Sequence, residues 1–157
     1  MTDPNDDPSA LLQATFERIA VERMAGLPIL NPALAVAAVG FRPWREYWLG
    51  VLVTPWFMNM VARPVEPDAT PDLTVRGLEL PSGRYEFTVT REDGIGVYLS
   101  CPLISPMSQF ASQADALAVA EAVLDEVFQA PAEAAKGGPD LSRRGFLRAL
   151  LPAAKTP

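Results

Sequence analysis

Residues 84–94 have the sequence RYEFTVTREDG, and this stretch decides the fold class. Tyr85, Phe87 and Val89 alternate with polar residues, which is the period of a β-strand with one apolar face and one solvated face. Asp93-Gly94 is a typical hairpin turn, and an apolar segment follows it. The stretch therefore predicts two consecutive antiparallel strands. Helices can cover only the apolar face of the first one.

Similar short segments, rich in Val, Leu, Tyr and Phe and bounded by Gly or Pro, predict further strands on both sides. The predicted strands are residues 34–41, 47–54, 73–80, 83–91 and 94–103. Apolar residues at helical spacing predict helices at 8–25, after Asp7-Pro8, and at 113–129, after the capping residue Ser112. This order predicts an α+β domain with an antiparallel β-sheet of about five strands, flanked by an N-terminal and a C-terminal α-helix. We expect residues 1–130 to form this single domain and residues 131–157 to form a linker and a basic C-terminal tail.

The chain has 157 residues, no histidine and one cysteine. This composition excludes a zinc site or an iron–sulfur cluster held by one chain, and any mechanism that needs an imidazole base. Cys101 lies in an apolar segment beside Pro102, which favours a buried, inert thiol over a nucleophile. We therefore expect no metal and no cofactor.

The net charge of −6 is unevenly distributed along the chain. Residues 1–136 carry 9 basic and 18 acidic side chains, a difference of −9, whereas residues 137–157 carry 4 and 1, a difference of +3. An acidic body repels nucleic acid and anionic lipid and suits a basic peptide. The apolar segment 48–62 is too short to span a bilayer. The single cysteine and the acidic start of the sequence predict a cytoplasmic protein without membrane insertion.

Four acidic residues could suggest a paired-carboxylate catalyst, namely Glu79, Glu86, Glu92 and Asp93. Strand alternation and a hairpin tip explain all four as solvated positions. The serines have no histidine to activate them, and no glycine-rich phosphate loop precedes a helix. The sequence predicts that the protein is not an enzyme.

An unusual concentration of large apolar residues follows Pro55, at Trp56, Phe57, Met58, Asn59 and Met60. A role in the core is the alternative interpretation, but four such residues after a proline turn are not all expected to face inward, so we expect some to be exposed. With Met107 and Phe110, they predict a groove for an apolar peptide. Residues 27–32, which contain two prolines, are predicted to be an extended apolar connection pressed on the core.

Several segments resemble the HybE/HupJ-type assembly chaperones of [NiFe] hydrogenases. They are residues 27–34 (LPILNPAL), 39–41 (VGF), 50–59 (GVLVTPWFMN), 80–87 (LPSGRYEF) and 105–110 (SPMSQF). The resemblance implies a cytoplasmic chaperone that holds a hydrogenase subunit until maturation is complete. The subunit it implies is the small one with its twin-arginine signal peptide; the large subunit and other maturation proteins are further implied partners. Such a client needs an apolar groove and carboxylates for its arginine pair, and Glu79 and Glu86 are the candidates. A non-catalytic structural or scaffolding subunit of the maturation complex is the alternative.

Residues 142–148 have the sequence SRRGFLR, which resembles the twin-arginine export motif itself through Arg143, Arg144, Phe146 and Leu147. Nine residues follow it, so we do not expect it to act as an export signal. Two interpretations remain open. The tail is either a short basic amphipathic helix that packs on an acidic partner, or a pseudo-signal that occupies the chaperone's own groove or mimics its client.

Overall fold

The computed structural model describes residues 7–66 and 69–129. Within these residues the elements are α1 (Ser9–Glu22), β1 (Ala37–Trp44), β2 (Tyr47–Val53), β3 (Met58–Pro64), β4 (Val75–Leu80), β5 (Gly83–Glu92), β6 (Gly96–Ile104) and α2 (Gln113–Val127). The predicted α+β class, with one antiparallel sheet between an N-terminal and a C-terminal helix, is confirmed. The sheet has six strands in the described residues. The additional strand is β3, which the sequence analysis assigned to a surface patch.

The sequence analysis did not predict β3 because both faces of this strand are covered. Met58 and Met60 are fully buried on one side of the sheet, and Val61 is buried on the other. A strand that is buried on both faces is apolar along its whole length, so it lacks the alternation that identifies β5. The continuous apolar segment after Pro55 is therefore a central strand.

The strand order in the sheet is β1-β2-β3-β6-β5-β4, and all neighbouring strands are antiparallel. The first three strands form one meander and the last three form a second. The two meanders meet where β3 pairs with β6, with Met60 opposite Cys101 and Val61 opposite Ser100.

α2 packs on one face of the sheet, which we call the inner face. Met58, Phe87 and Leu99 are fully buried in one core cluster with the helix residues Val123 and Leu124. Each fully buried side chain of this size stabilises the fold by about 1.5–3 kcal/mol. Cys101 is also fully buried in this cluster.

The sheet curls around α2. Arg76 on β4 donates a hydrogen bond to the hydroxyl of Tyr47 on β2 at 3.0 Å, although three strands separate these two in the sheet. At the C-terminal end of α2, the Val127 carbonyl accepts a hydrogen bond from the Ser82 amide, and the ring of Phe128 lies 5.4 Å from that of Trp44. The end of α2 thus contacts both halves of the sheet.

α1 packs on the opposite, outer face. Phe16 contacts Phe57 and Tyr98 edge to face, at ring-centroid distances of 5.9 and 6.2 Å. The expectation that helices cover only the apolar face of β5 is right, because its outward residues Arg84 and Glu86 are exposed, whereas α1 covers the outer face of other strands. In the described part of the chain, no helix combines the length and the apolarity needed to cross a membrane.

Candidate partner-binding surfaces

The large apolar residues after Pro55 are mostly part of the core, so the expectation of an exposed patch is wrong. Met58 and Met60 are fully buried, as is Met107, and Trp56 and Phe110 are nearly so. The two sheet faces explain this outcome, because the methionines point toward α2 while Trp56 packs beneath α1. Only Phe57 and Asn59 are partly exposed within 56–60.

Thr54 shapes the turn that leads into β3. Its side chain is completely buried, and its Oγ1 accepts hydrogen bonds from the amides of Trp56 at 3.1 Å and Phe57 at 2.9 Å. The hydroxyl donates to the Phe57 carbonyl at 3.0 Å. One side chain therefore satisfies three backbone groups of a tight turn, which explains a polar residue in an otherwise apolar segment.

Asn31 joins three segments that are far apart in the sequence. Its side-chain amide donates to the carbonyls of Met107 and Phe110, each at 2.9 Å, and its backbone amide donates to the Pro55 carbonyl at 2.9 Å. Its Oδ1 accepts from the Ala33 amide at 2.9 Å. The segments 27–34, 54–59 and 105–110 thus meet at one half-buried asparagine, whose role the sequence analysis did not identify.

A groove lies beside Asn31, and we call it the proline groove. It has a volume of about 460 Å³ and is lined by Pro28, Ile29, Leu30, Asn31, Pro32, Pro106, Ser108 and Phe110. The Ser105-Pro106 peptide bond at its edge is cis. None of these lining residues carries a charge, and a concave apolar surface with a few polar groups is typical of a binding site.

Residues 27–32 pack against the core through Leu30, but not along the whole segment as was expected. Leu27 and Ile29 are 43% and 49% exposed, whereas Leu30 and Asn31 are partly buried. Gly26, at a φ of +83°, turns the chain after α1, and the hydrogen bonds of Asn31 then hold the segment as a wall of the groove. The exposed apolar surface that the sequence suggested near Trp56 therefore lies in this segment instead.

Glu79 and Glu86 lie on the open part of the outer face, on β4 and β5. Arg84 lies between them, with its Nη1 3.3 Å from Glu79 Oε2 and its Nε 3.2 Å from Glu86 Oε2. These two carboxylates, Glu86 first, raise the pKa of Arg84. The guanidinium crosses Gly77, where a Cβ atom would lie 2.2 Å from Arg84 Cζ. The predicted arginine-binding carboxylates are thus already paired with an arginine of the same chain.

The carboxylates and the proline groove are connected along β6. Thr88 on β5 pairs with Ser100 on β6, so Glu86, two residues before Thr88, lies on the side of Pro102. Pro102 is exposed and pairs with Asn59 on β3. Pro106, at the edge of the groove, is four residues further along the chain, a span of at most about 14 Å. An extended peptide of about six residues, roughly 20 Å long, covers the distance between the two surfaces.

A second charged cluster holds α1 on the hairpin between β5 and β6. Arg23 pairs with Glu92, which raises the pKa of Arg23, and Arg18 donates to the Asp93 carbonyl at 3.3 Å. The interpretation as a solvated position is right for Asp93, which is exposed and contributes only its backbone carbonyl, but wrong for Glu92, whose side chain is 14% exposed and paired with Arg23. Among the residues that the structure describes, no group of His, Cys, Asp or Glu side chains could hold a metal ion.

The tail residues Arg143, Arg144, Phe146 and Leu147 lie outside the described residues, as does the predicted linker that precedes them.

Comparison with known proteins gives consistent results. A family model described as "[NiFe]-hydrogenase assembly, chaperone, HybE" matches residues 7–149. The chain aligns with the hydrogenase expression/formation protein HupJ of Bradyrhizobium diazoefficiens over 161 positions, gaps included, with 40% identity. The alignment covers 94% of each chain. It is 44% identical over 142 residues to the hydrogenase expression/formation protein HupT of Azotobacter chroococcum, which covers 87% of this chain and 91% of that one. The solution structure of HybE from Escherichia coli has a similar fold, with a TM-score of 0.65 and 33% identity over 80% of this chain and 79% of that one.

Proposed function

Because this chain belongs to the HybE family of [NiFe] hydrogenase assembly chaperones, we propose that it holds the small subunit of a hydrogenase until maturation is complete. It does so by binding the subunit's twin-arginine signal peptide. The observation that carries this proposal is an uncharged proline groove and, within reach of the same extended peptide, two carboxylates on an acidic body.

The proline groove suits the apolar part of a signal peptide. Ile29, about half exposed, and Pro28 offer apolar surface without neighbouring charges, so an apolar segment loses little hydration energy when it binds. Asn31 and the backbone groups that it fixes keep the walls in place, which lowers the entropy cost of binding.

The arginine pair of the peptide binds Glu79 and Glu86 by replacing Arg84. An arginine fork can make two parallel, charge-assisted hydrogen bonds with one carboxylate, whereas Arg84 makes a single bond to each of the two. The free site has one guanidinium for two carboxylates, a net charge of −1, and the two arginines of the peptide give each carboxylate a partner of its own. Phe57, Asn59 and Pro102 form the surface that the peptide crosses between the two sites.

The deeply buried residues of the predicted patch act indirectly in this account. Met58, Met60 and Met107 support the strands and the loop that carry the surface, and Trp56 packs under α1. Phe110 contributes directly because it lines the groove. The protein acts in the cytoplasm, where the small subunit resides before export, and its partners there include the large subunit and other maturation proteins. Its acidic body disfavours nucleic acid.

Co-purification tests the proposal. A tagged copy of this chain is isolated from cells that produce the small subunit either with or without its signal peptide. We expect the small subunit to be recovered only when the signal peptide is present. Equal recovery of both forms would contradict binding through the signal peptide and would favour a scaffolding role.

A further inference from the structure

We propose that residues 142–151 of this chain bind its own proline groove and compete there with the client's signal peptide, an inference that rests on the proposed function of the groove. These residues have the sequence SRRGFLRALL and lie outside the described residues. Their chemistry, their distance along the chain from the groove and their charge each support the proposal.

The chemistry of the segment matches that of the proposed client. An arginine pair, Arg143 and Arg144, is followed by the large apolar residues Phe146, Leu147, Leu150 and Leu151. A signal peptide presents the same two groups in the same order, so the uncharged groove that accepts the apolar residues of one can accept those of the other. The groove volume of about 460 Å³ accommodates a few such side chains, as typical ligand sites do.

The chain between α2 and this segment is long enough to reach the groove. α2 begins beside the groove, because the Gln113 side chain accepts a hydrogen bond from the Ala35 amide at 2.9 Å and donates one to the Ala35 carbonyl at 3.1 Å. The 15 residues of α2 place its other end about 22 Å away. Residues 130–141 can extend to about 40 Å. This reach exceeds the length of the helix, so residues 142–151 can return to the groove.

The charges favour the same contact. Residues 137–157 carry +3 and residues 1–136 carry −9, so the segment is attracted to the body. Asp115, five residues after the groove residue Phe110, is an exposed carboxylate in the first turn of α2. Apolar side chains can enter the uncharged groove while the arginines remain in solvent, attracted by the acidic body.

Tethering makes even a weak contact effective. A covalent tether of this length gives the bound segment an effective concentration of about 1 mM. A segment whose intrinsic dissociation constant is about 100 µM then occupies the groove most of the time and weakens client binding roughly tenfold. The segment would keep the groove covered until a client with higher affinity arrives.

Isoleucine methyl NMR spectra of the full chain test this directly. The four isoleucines are Ile19, Ile29, Ile95 and Ile104, and only Ile29 lines the groove, whereas the other three are buried in the two core clusters. We expect the double variant Phe146→Ser with Leu147→Ser to shift the Ile29 methyl signal and leave the other three unchanged. The control variant Ala153→Ser with Ala154→Ser should resemble the parent. An unchanged Ile29 signal in the first variant would overturn the proposal.

Two further measurements separate this inference from the proposed function. The Ile29 shift should not depend on protein concentration, and a shift that grows with concentration would show binding of a second copy's tail and overturn self-occupancy. A synthetic client signal peptide should bind the Phe146→Ser, Leu147→Ser variant about tenfold more tightly than the parent. An Ile29 shift without any peptide binding would support occupation of the groove by the tail and contradict the groove's proposed client.

Discussion

The side-chain amide of Asn31 donates a hydrogen bond of 2.9 Å to the backbone carbonyl of Phe110, 79 residues further along the chain. A second bond of the same length reaches the Met107 carbonyl. The two walls of the proline groove are therefore held by one side chain, and the shape of the groove depends on it.

Asn31→Ala should destabilise the protein by about 2–3 kcal/mol, because two carbonyls lose a donor and the Ala33 amide loses an acceptor. Urea unfolding measures this free energy. Asn59→Ala is the matched control: Asn59 is half-buried, and its side chain has no hydrogen-bond partner among the described residues. Equal effects of the two substitutions would show that Asn31 does not hold the groove together.

Thr54→Val should cost about 2–3 kcal/mol, although the two side chains have nearly the same shape. The substitution leaves the amides of Trp56 and Phe57 without their buried acceptor. Thr88→Val, at a half-buried position on β5, should change the free energy of unfolding by no more than about 0.5 kcal/mol. Thermal or urea unfolding compares the two variants, and a loss at Thr54 as small as that at Thr88 would contradict the role of the Thr54 hydroxyl.

Ionisation of Tyr98 should lower the free energy of unfolding at alkaline pH. Burial raises the pKa of Tyr98 to about 12, above its usual value of 10.0, because the folded state disfavours the phenolate. The unfolded chain therefore releases this proton first, so the stabilising contribution is complete below pH 10 and is lost as the pH rises from 10 toward 12. Urea unfolding across this pH range should show a loss of about 3 kcal/mol that Tyr98→Phe lacks. The same loss in Tyr98→Phe would assign it to another group.

Arg84→Gln should strengthen binding of a twin-arginine peptide by roughly threefold to tenfold, because it frees Glu79 and Glu86 for the incoming pair. Arg91→Gln makes the same change in net charge but disturbs a different pair, with Asp72. Fluorescence titration with a labelled peptide compares the two. If both variants bind equally, only long-range charge matters and the arginine-binding site is elsewhere.

The sequence predicted those elements whose signals come from residues close together in the chain. Tyr85, Phe87 and Val89 revealed β5 because one face of that strand is solvated, and Ser112 marked the start of α2 because a helix cap is a contact between near neighbours. β3 was hidden because Met58 and Val61 are buried on opposite faces. No local pattern reports that a second helix covers the outer face.

The proline groove could not be predicted for a similar reason. The bonds of Asn31 reach across 76 and 79 residues, so its neighbours in the sequence give no sign of its partners. The apolar composition of residues 27–32 suggested burial, whereas the structure uses Ile29 as an exposed wall. The resemblance to a family identified the correct segments, but only the fold showed that they meet.

The most direct test of the central claim, that the proline groove binds the apolar part of the client's signal peptide, is a calorimetric titration of that peptide into the full chain. Ile29→Ser should weaken binding by about 10-fold to 100-fold, the effect of losing one buried aliphatic contact. Val21→Ser, which changes an equally apolar and 74% exposed residue on α1, should leave the affinity unchanged. Equal affinities of the parent, Ile29→Ser and Val21→Ser for the peptide would contradict the account.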